Sequence, residues 1–478
     1  YPAPPLVARD LSCTSPARST GFIPCLFRSR GSQEGIAPTH PPMLSSRLAS
    51  LFTLLELALV AVLALLGVLT ERLLPLAALV AILFWPLRWA LNRRPTLPTP
   101  ANLPILILLL MLPVSLWASP LPEKTLLQVL RLLVGILLFY ALLNGLVTPS
   151  RLLAACWASA GLSLLLSLAA LVSVNWPQGK IPLIPARLVA LFPPQISDTV
   201  HANVMAGALA LLLPFPLAAF LWNFSPLKSW LIALPLRLTA LLIAACVAAV
   251  LLLTQSRGGY LAAVAALVVL LTLRLRRWGW LVPLACAALS AYLLWRYPNA
   301  LEILASGSGA ANSLEVRQEI WSRALFIIRD FPLTGIGMGL FTEVADALYP
   351  FFLSEPGAVS HAHNLFLQIA VDLGLPGLIA WLALLIVVIA GAWRAYRCAP
   401  AAVPHLSGIG ATLLAALAAL LVHGLFDAVS WGLRPAVITW GVFGMAVAAG
   451  HLAWFPAPQK SSALAAANTP LPSASKSP

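Results

Sequence analysis

The chain has 478 residues, 60% of them hydrophobic and only 9% charged, with a mean hydropathy of +0.93. A soluble domain averages about 25% charged residues, so a soluble globule is excluded and a polytopic membrane protein is required. The formal net charge of +14 does not indicate a nucleic-acid partner, because the Lys and Arg residues fall in small groups between apolar runs and form no continuous basic face.

In chain order, residues 1–46 are polar, rich in Pro, Ser and Arg, and lack the apolar core of a secretory signal. They are expected to be a disordered tail. Met43, the first methionine, stands directly before the first apolar run and is read as a start site, which makes the preceding residues artefactual or dispensable. Residues 47–455 form the membrane domain. A helix of about twenty apolar residues crosses roughly 30 Å of hydrocarbon while satisfying its own backbone. Twelve such runs are predicted, near 48–69, 73–91, 102–118, 126–147, 152–174, 199–221, 231–254, 259–273, 278–296, 364–392, 407–426 and 433–453. The run at 364–392 is long enough to tilt or to begin as a partly exposed helix. A large loop, 297–362, separates the ninth and tenth spans, and 456–478 is expected to be a disordered cytoplasmic tail. The predicted fold class is therefore all-α, a polytopic integral membrane protein of about twelve transmembrane helices.

Positive charge in short loops orients the spans. One alternating set holds Arg47, Arg93, Arg94, Arg151, Lys228, Arg274, Arg276, Arg277, Arg394, Arg397, Lys460 and Lys476, whereas the other carries little beyond Arg72, Lys124 and Arg434. Both termini are thus expected in the cytoplasm. The outer side then holds Lys180 and Arg187 in the 175–198 loop, Arg257 at a helix end, and Arg317, Arg323 and Arg329 in the long loop. A single outer Arg also has an ordinary use, snorkelling to a lipid headgroup. The six cysteines form neither a disulfide framework nor a zinc spacing.

Three outer elements carry polar motifs. The first runs from Arg187 in the 175–198 loop to His201-Ala-Asn203-Val-Met-Ala-Gly207. The second is Thr254-Gln255-Ser256-Arg257-Gly258-Gly259-Tyr260. The third contains Arg317, then Gly335-Ile-Gly337-Met-Gly339, His361-Ala-His363-Asn364-Leu365 and Asp372-Leu-Gly374-Leu-Pro376-Gly377, with a late His423-Gly-Leu-Phe-Asp427 beyond it. Ile320, Trp321, Leu325 and Phe326 have the spacing of a helix lying along the membrane interface.

In these motifs the chain resembles the O-antigen ligase and polymerase family of membrane glycosyltransferases, over roughly residues 48–453. The carriers are the outer Arg and Asn, Ser-Arg-Gly, Pro-x-x-Gly-x-Gly-x-Gly, His-Asn-x-x-Leu with Gly-x-x-Gly, and His-Gly-x-x-Asp. The resemblance implies a GT-C-like bundle of twelve helices with a large extracytoplasmic loop. It also implies transfer of a glycan from an undecaprenyl-pyrophosphate carrier to a glycan, lipid or protein acceptor outside the cytoplasmic membrane, without a cofactor. Carried over by position, Arg257 and Arg187 hold the pyrophosphate and His363 is the catalytic histidine. Asn364, Asn203, Arg317, Gly335, Gly337, Gly339, His423 and Asp427 support them. At Arg187 the chain departs from the family pattern, with Leu-Val-Ala where a Gly is usual. Ligases, polymerases and related protein glycosyltransferases share these motifs.

The residue chemistry agrees with those roles. Guanidinium stays charged and offers a planar fork of donors to phosphate oxygens, so two arginines can offset the charge of a leaving diphosphate. A diphosphate leaves without a general acid, whereas an acceptor hydroxyl benefits from a base titrating near neutrality, the niche of histidine. His363 therefore fits the base of a direct, inverting displacement; the alternative is that it caps the tenth span or bonds a loop carbonyl. His361-x-His363 also invites a metal, but the acids nearest in sequence are Glu355 and Asp372, and a site needs three or four convergent ligands. The glycines at 335, 337 and 339 lack the strand and spacing of a nucleotide fingerprint. The rival class is a polytopic transporter or lipid-carrier flippase for cell-envelope polysaccharide, which would place charges near the midplane. Only Glu56, Arg131 and Arg237 are candidates there, and no two-fold repeat is visible. A structural scaffold leaves the one-sided clustering of polar motifs unexplained.

Overall fold

The computed structural model describes residues 46–92, 94–177, 200–225, 229–298, 314–401, 403 and 405–454. Both predicted tails, most of the 175–198 loop with Arg187, and residues 299–313 lie outside the described residues. The helices are α1 Ser46–Leu69, α2 Leu74–Asn92, α3 Asn102–Ala118, α4 Pro122–Gly145, α5 Pro149–Ser173, α6 Ala202–Leu212 and α7 Pro214–Trp222. They continue with α8 Trp230–Leu253, α9 Arg257–Leu275, α10 Leu281–Arg296, α11 Leu314–Asp330, α12 Phe341–Leu348, α13 Leu365–Arg397, α14 His405–Gly424 and α15 Ala436–Trp454. One two-residue parallel pair, Val174 with Val200 and Asn175 with His201, ties the end of α5 to the start of α6. The protein is an all-α, multi-pass membrane protein.

Ten of the twelve predicted spans are helices long and apolar enough to cross a membrane, with α6 and α7 joined as one span across Pro214. The other two, α3 and α10, are shorter apolar helices of 17 and 16 residues. Proline-containing α3 nonetheless packs along α13, while α10 touches mainly α9 and buries none of its residues. The interior is built where α9 packs on α14 and α15 packs on α4 and α13. Gly391 of α13 and Gly450 of α15 meet backbone to backbone, the close approach that small residues permit when no water is present to drive association. Leucines such as Leu242 and Leu103 face outward, as lipid-facing positions require.

The run predicted at 364–392 is one helix with a break. Gly374 has φ +68° inside α13, and the gap is filled by the preceding loop: the Leu375 amide donates to the Pro332 carbonyl at 2.7 Å and the Ile336 amide to that of Val371 at 2.9 Å. A Cβ on Gly374 would lie 2.8 Å from Leu333 carbonyl carbon, so glycine is needed for both its dihedral and its lack of bulk. The predicted interfacial helix is α11, but its buried stripe is Val316, Ile320, Ala324 and Ile327. Leu325 and Phe326 face outward, on the side away from that stripe.

Two of the three charges predicted near the midplane are in ion pairs. Glu56 and Arg88 form a buried ion pair between α1 and α2. Arg131 of α4 binds Glu71 and donates to the Gly432 carbonyl at 2.8 Å. Arg237 sits near one end of the bundle and donates to the Phe220 carbonyl. Removing one partner of a buried pair leaves an uncompensated charge, at a cost of about 3–5 kcal/mol. Glu56→Leu should therefore lower the thermal stability of the purified protein sharply, and the double substitution Glu56→Leu with Arg88→Met should recover most of the loss. Equal melting temperatures for Glu56→Leu and wild type would show that the pair is idle.

Candidate functional site

The turn that ends α14 organises the site. The Phe426 and Asp427 amides both donate to the His423 carbonyl at 2.9 Å, closing the helix and turning the Asp427 side chain inward. Three other elements converge on this turn. From α11, Arg317 donates through Nη1 to the Phe426 carbonyl at 3.2 Å. From the start of α9, Gly258 lies against Phe426 and His423, so a Cβ there would be 3.3 Å from Phe426 Cβ. From the start of α13, Asn364 donates through Nδ2 to the Leu425 carbonyl at 3.3 Å.

Asn364 also caps α13, its Oδ1 accepting from the amides of Phe366 and Leu367 at 3.0 and 3.1 Å. This fixes the two residues before it. His363 takes a left-handed backbone, φ +47°, which histidine adopts more readily than most side chains but still at a cost. The result folds the two imidazoles together, edge to face with centroids 4.2 Å apart, above one carboxylate. His361 Nε2 lies 3.2 Å and His363 Nδ1 3.8 Å from Asp427 Oδ1. That oxygen also accepts from the Ala428 amide at 2.8 Å. His363 Nδ1 is buried without a hydrogen bond, while its side chain remains 26% exposed.

Burial first, and His361 second, push the His363 imidazole down to about 4, so the ring is neutral at pH 7. Burial opposes ionisation of Asp427, yet His361, His363 and His423 outweigh it and hold that carboxyl below the ordinary range. Burial lowers Arg317 as well, Asp427 raises it and Arg257 lowers it again, so Arg317 lies within electrostatic reach of both the carboxylate and the Arg257 guanidinium. Arg257 is half-buried at the first position of α9, behind the Ser256 cap, whose Oγ accepts from the Gly259 amide. Gln255, just before it, has φ +51° and donates to the Pro177 carbonyl at 2.5 Å.

The sequence-predicted residues thus divide. His363, Asn364, Arg317, His423, Asp427 and the Gly258 turn behind Arg257 come together at one end of the bundle. Asn203 lies in the first turn of α6, its amide donating to His201 Nδ1 at 3.2 Å, and His201 reaches His363 electrostatically. Gly335, Gly337 and Gly339 all have positive φ, and their near neighbours are Asp372, Ser119 and Gln128, so they brace the loop against α3, α4 and α13. Arg187 lies outside the described residues. The acid beside the two histidines is Asp427, not Glu355 or Asp372, the acids nearest in sequence; Asp372 accepts from Trp431 Nε1 at 2.8 Å and Gln368 Nε2 at 2.9 Å instead. His361, His363 and Asp427 offer three ligand atoms within 4.8 Å of one another, the number that an open zinc-type site uses. The sequence points to His361 only as half of a metal-type pair and assigns no role to Gly207 of the first motif, where a Cβ would sit 2.7 Å from His423 Cε1. The His423–Asp427 spacing of four, at the same predicted membrane face as His363, was the available signal.

Because the folded protein holds His363 neutral down to about pH 4 while an unfolded chain protonates near 6.5, the native state binds fewer protons between those values. The contribution is level above pH 6.5 and stability is lost as pH falls from 6.5 towards 4. Melting curves across this range should show a flatter pH dependence for His363→Gln than for wild type; identical slopes would contradict the buried neutral ring.

Among known proteins, no curated sequence matches the chain. Residues 240–382 match the family model described as O-antigen ligase. The matched segment includes Arg257, Arg317, the three loop glycines, His361, His363 and Asn364, while Asn203, His423 and Asp427 fall outside it. That segment, which begins in α8 and ends in α13, is therefore similar to the O-antigen ligase family.

Proposed function

We propose that the protein transfers a glycan from an undecaprenyl-pyrophosphate carrier to an acceptor hydroxyl at the outer face of the cytoplasmic membrane, by a direct, inverting and metal-independent displacement. The observation that carries this reading is the convergence of Arg257 and Arg317 on the turn that holds His361, His363 and Asp427. The acceptor is a glycan, a lipid or a protein, and membrane lipids surround the site. Both termini are cytoplasmic in this reading, in keeping with the basic residues at the opposite helix ends.

The acceptor oxygen forms its bond to the anomeric carbon as the bond from that carbon to the phosphate oxygen breaks. The electron pair departs with the diphosphate, whose charge Arg257 meets, with Arg317 beside it and Arg187 as the third cation of the same role. The acceptor proton passes to neutral His363. Asp427, ionised and 3.8 Å from Nδ1, stabilises the imidazolium that forms, and His361 keeps the carboxylate in place. Asn364, Asn203, His423 and the glycines 335, 337 and 339 position these groups. A transporter is less well supported, since Glu56 and Arg131 are committed to ion pairs within the bundle.

A second reading has one observation in its favour: a divalent cation on the three ligand atoms of His361, His363 and Asp427. Reconstitution with a lipid-pyrophosphate-linked oligosaccharide and a panel of acceptors separates the two. His363→Ala should slow transfer by ~10²–10⁴-fold and Arg257→Ala by ~10²–10³-fold, with chelator leaving the wild type unaffected. Full transfer by both variants would remove the proposed mechanism. Loss of wild-type transfer on chelation, restored by added cation, would favour the metal.

A further inference from the structure

At the end of the bundle opposite the histidines, five helices enclose a second polar cavity of ≈ 310 Å³. It is lined by Asn223, Arg237, Arg274, Arg276, Tyr396 and Ser407, among others, and by no carboxylate. Three of them, α9, α13 and α14, carry the candidate active site at their other ends. The 19 residues of α9 run from Arg257 to Leu275, about 28 Å at 1.5 Å per residue, so the two sites stand a membrane thickness apart.

The three guanidiniums are arranged for an anion. Arg237 and Arg274 are each tethered through Nε, to the carbonyls of Phe220 at 3.0 Å and Leu221 at 3.2 Å. They also lie over the rings of Phe220 and Trp222, with centroid distances of 5.3 and 5.6 Å. That geometry fixes the stems and leaves the Nη groups for a ligand. Among the described residues, none of the three arginines has a carboxylate within ion-pair distance. Tyr396 and Ser407 spend their hydroxyl protons on the carbonyls of Leu273 and Tyr396, both at 3.0 Å.

One acceptor balances these donors. Asn223 Oδ1 is buried with no hydrogen-bond partner, an unmet demand for a hydroxyl or amine donor. Backbone strain points to the same place: the described chain has four non-glycine residues with positive φ, and while Gln255 and His363 belong to the candidate active site, Asn223 and Arg276 line this cavity. Trp230, Trp278 and Trp280 stand exposed at the neighbouring helix ends, the belt that marks headgroup depth.

We infer that this cavity binds a glycerol-bearing anionic phospholipid headgroup of the leaflet opposite the active site, with its phosphate on Arg237, Arg274 and Arg276 and a headgroup hydroxyl on Asn223 Oδ1. Basic pockets between helices at this membrane face suit phosphate headgroups, and the tryptophan belt favours a lipid over a soluble phosphate.

Native mass spectrometry of the detergent-purified protein tests it, with phosphatidylglycerol, phosphatidic acid and phosphatidylcholine added in turn. The wild type should retain phosphatidylglycerol about tenfold more tightly than phosphatidylcholine, and Arg237→Gln with Arg274→Gln should abolish the difference. Arg274→Gln alone, at an exposed side chain, should weaken retention without unfolding the protein. Arg277→Gln, outside the cavity, should behave as wild type. Asn223→Gly, which keeps the positive φ, should remove the preference for phosphatidylglycerol over phosphatidic acid. Equal retention of phosphatidylglycerol and phosphatidylcholine by the wild type, or retention unchanged in Arg274→Gln and the double variant, would overturn the proposal. So would thermal stabilisation by inorganic phosphate or glycerol phosphate equal to that by phosphatidylglycerol, which would assign the arginines to a soluble anion.

Discussion

The Asp427 carboxylate is the constraint on which the site depends. A carboxylate buried at a helix end is expensive unless its oxygens are met. Here one oxygen meets His361, the Ala428 amide and, at longer range, His363. Satisfying it draws the loop before α13 onto the end of α14. The same turn supplies the carbonyls that Arg317 and Asn364 use, so one buried charge sets the relative positions of α11, α13 and α14. The His363 imidazole is then held neutral, by burial first and by His361 second, a state suited to accepting a proton.

The glycine cluster acts at one remove. It carries the loop over the break in α13, where the Gly339 amide donates to Asp372 at 3.2 Å and the Met338 amide to Ser115 Oγ at 2.9 Å. Asp372 in turn is tied to Trp431, four residues beyond Asp427. Loop, broken helix and histidine turn are thereby one braced unit. That gives a mechanical reason for a Gly-rich segment beside the histidine turn.

The bundle was legible because hydrocarbon leaves the sequence so little freedom: each crossing needs about twenty apolar residues, and all twelve predicted runs are helical. Two fell short in length, and the long tenth run broke at Gly374, since apolar length says nothing about what packs into a helix. His363, Arg317 and Asp427 could be grouped by membrane face from charge and motif order. The partner of the histidines could not, because Asp427 lies more than sixty residues from them and its approach depends on how α14 ends.

The strained residues of the two polar clusters have a common logic. A membrane helix satisfies its own backbone, so its side chains are free to specialise only at its ends, where carbonyls and amides are left over. At one end of α9, α13 and α14 those leftovers hold Arg317 and Asn364; at the other they tether Arg274 and the hydroxyls of Tyr396 and Ser407. A rigid helix between them carries no proton and no charge. It fixes the separation, so the arginine cavity and the histidine turn keep a constant spacing along α9.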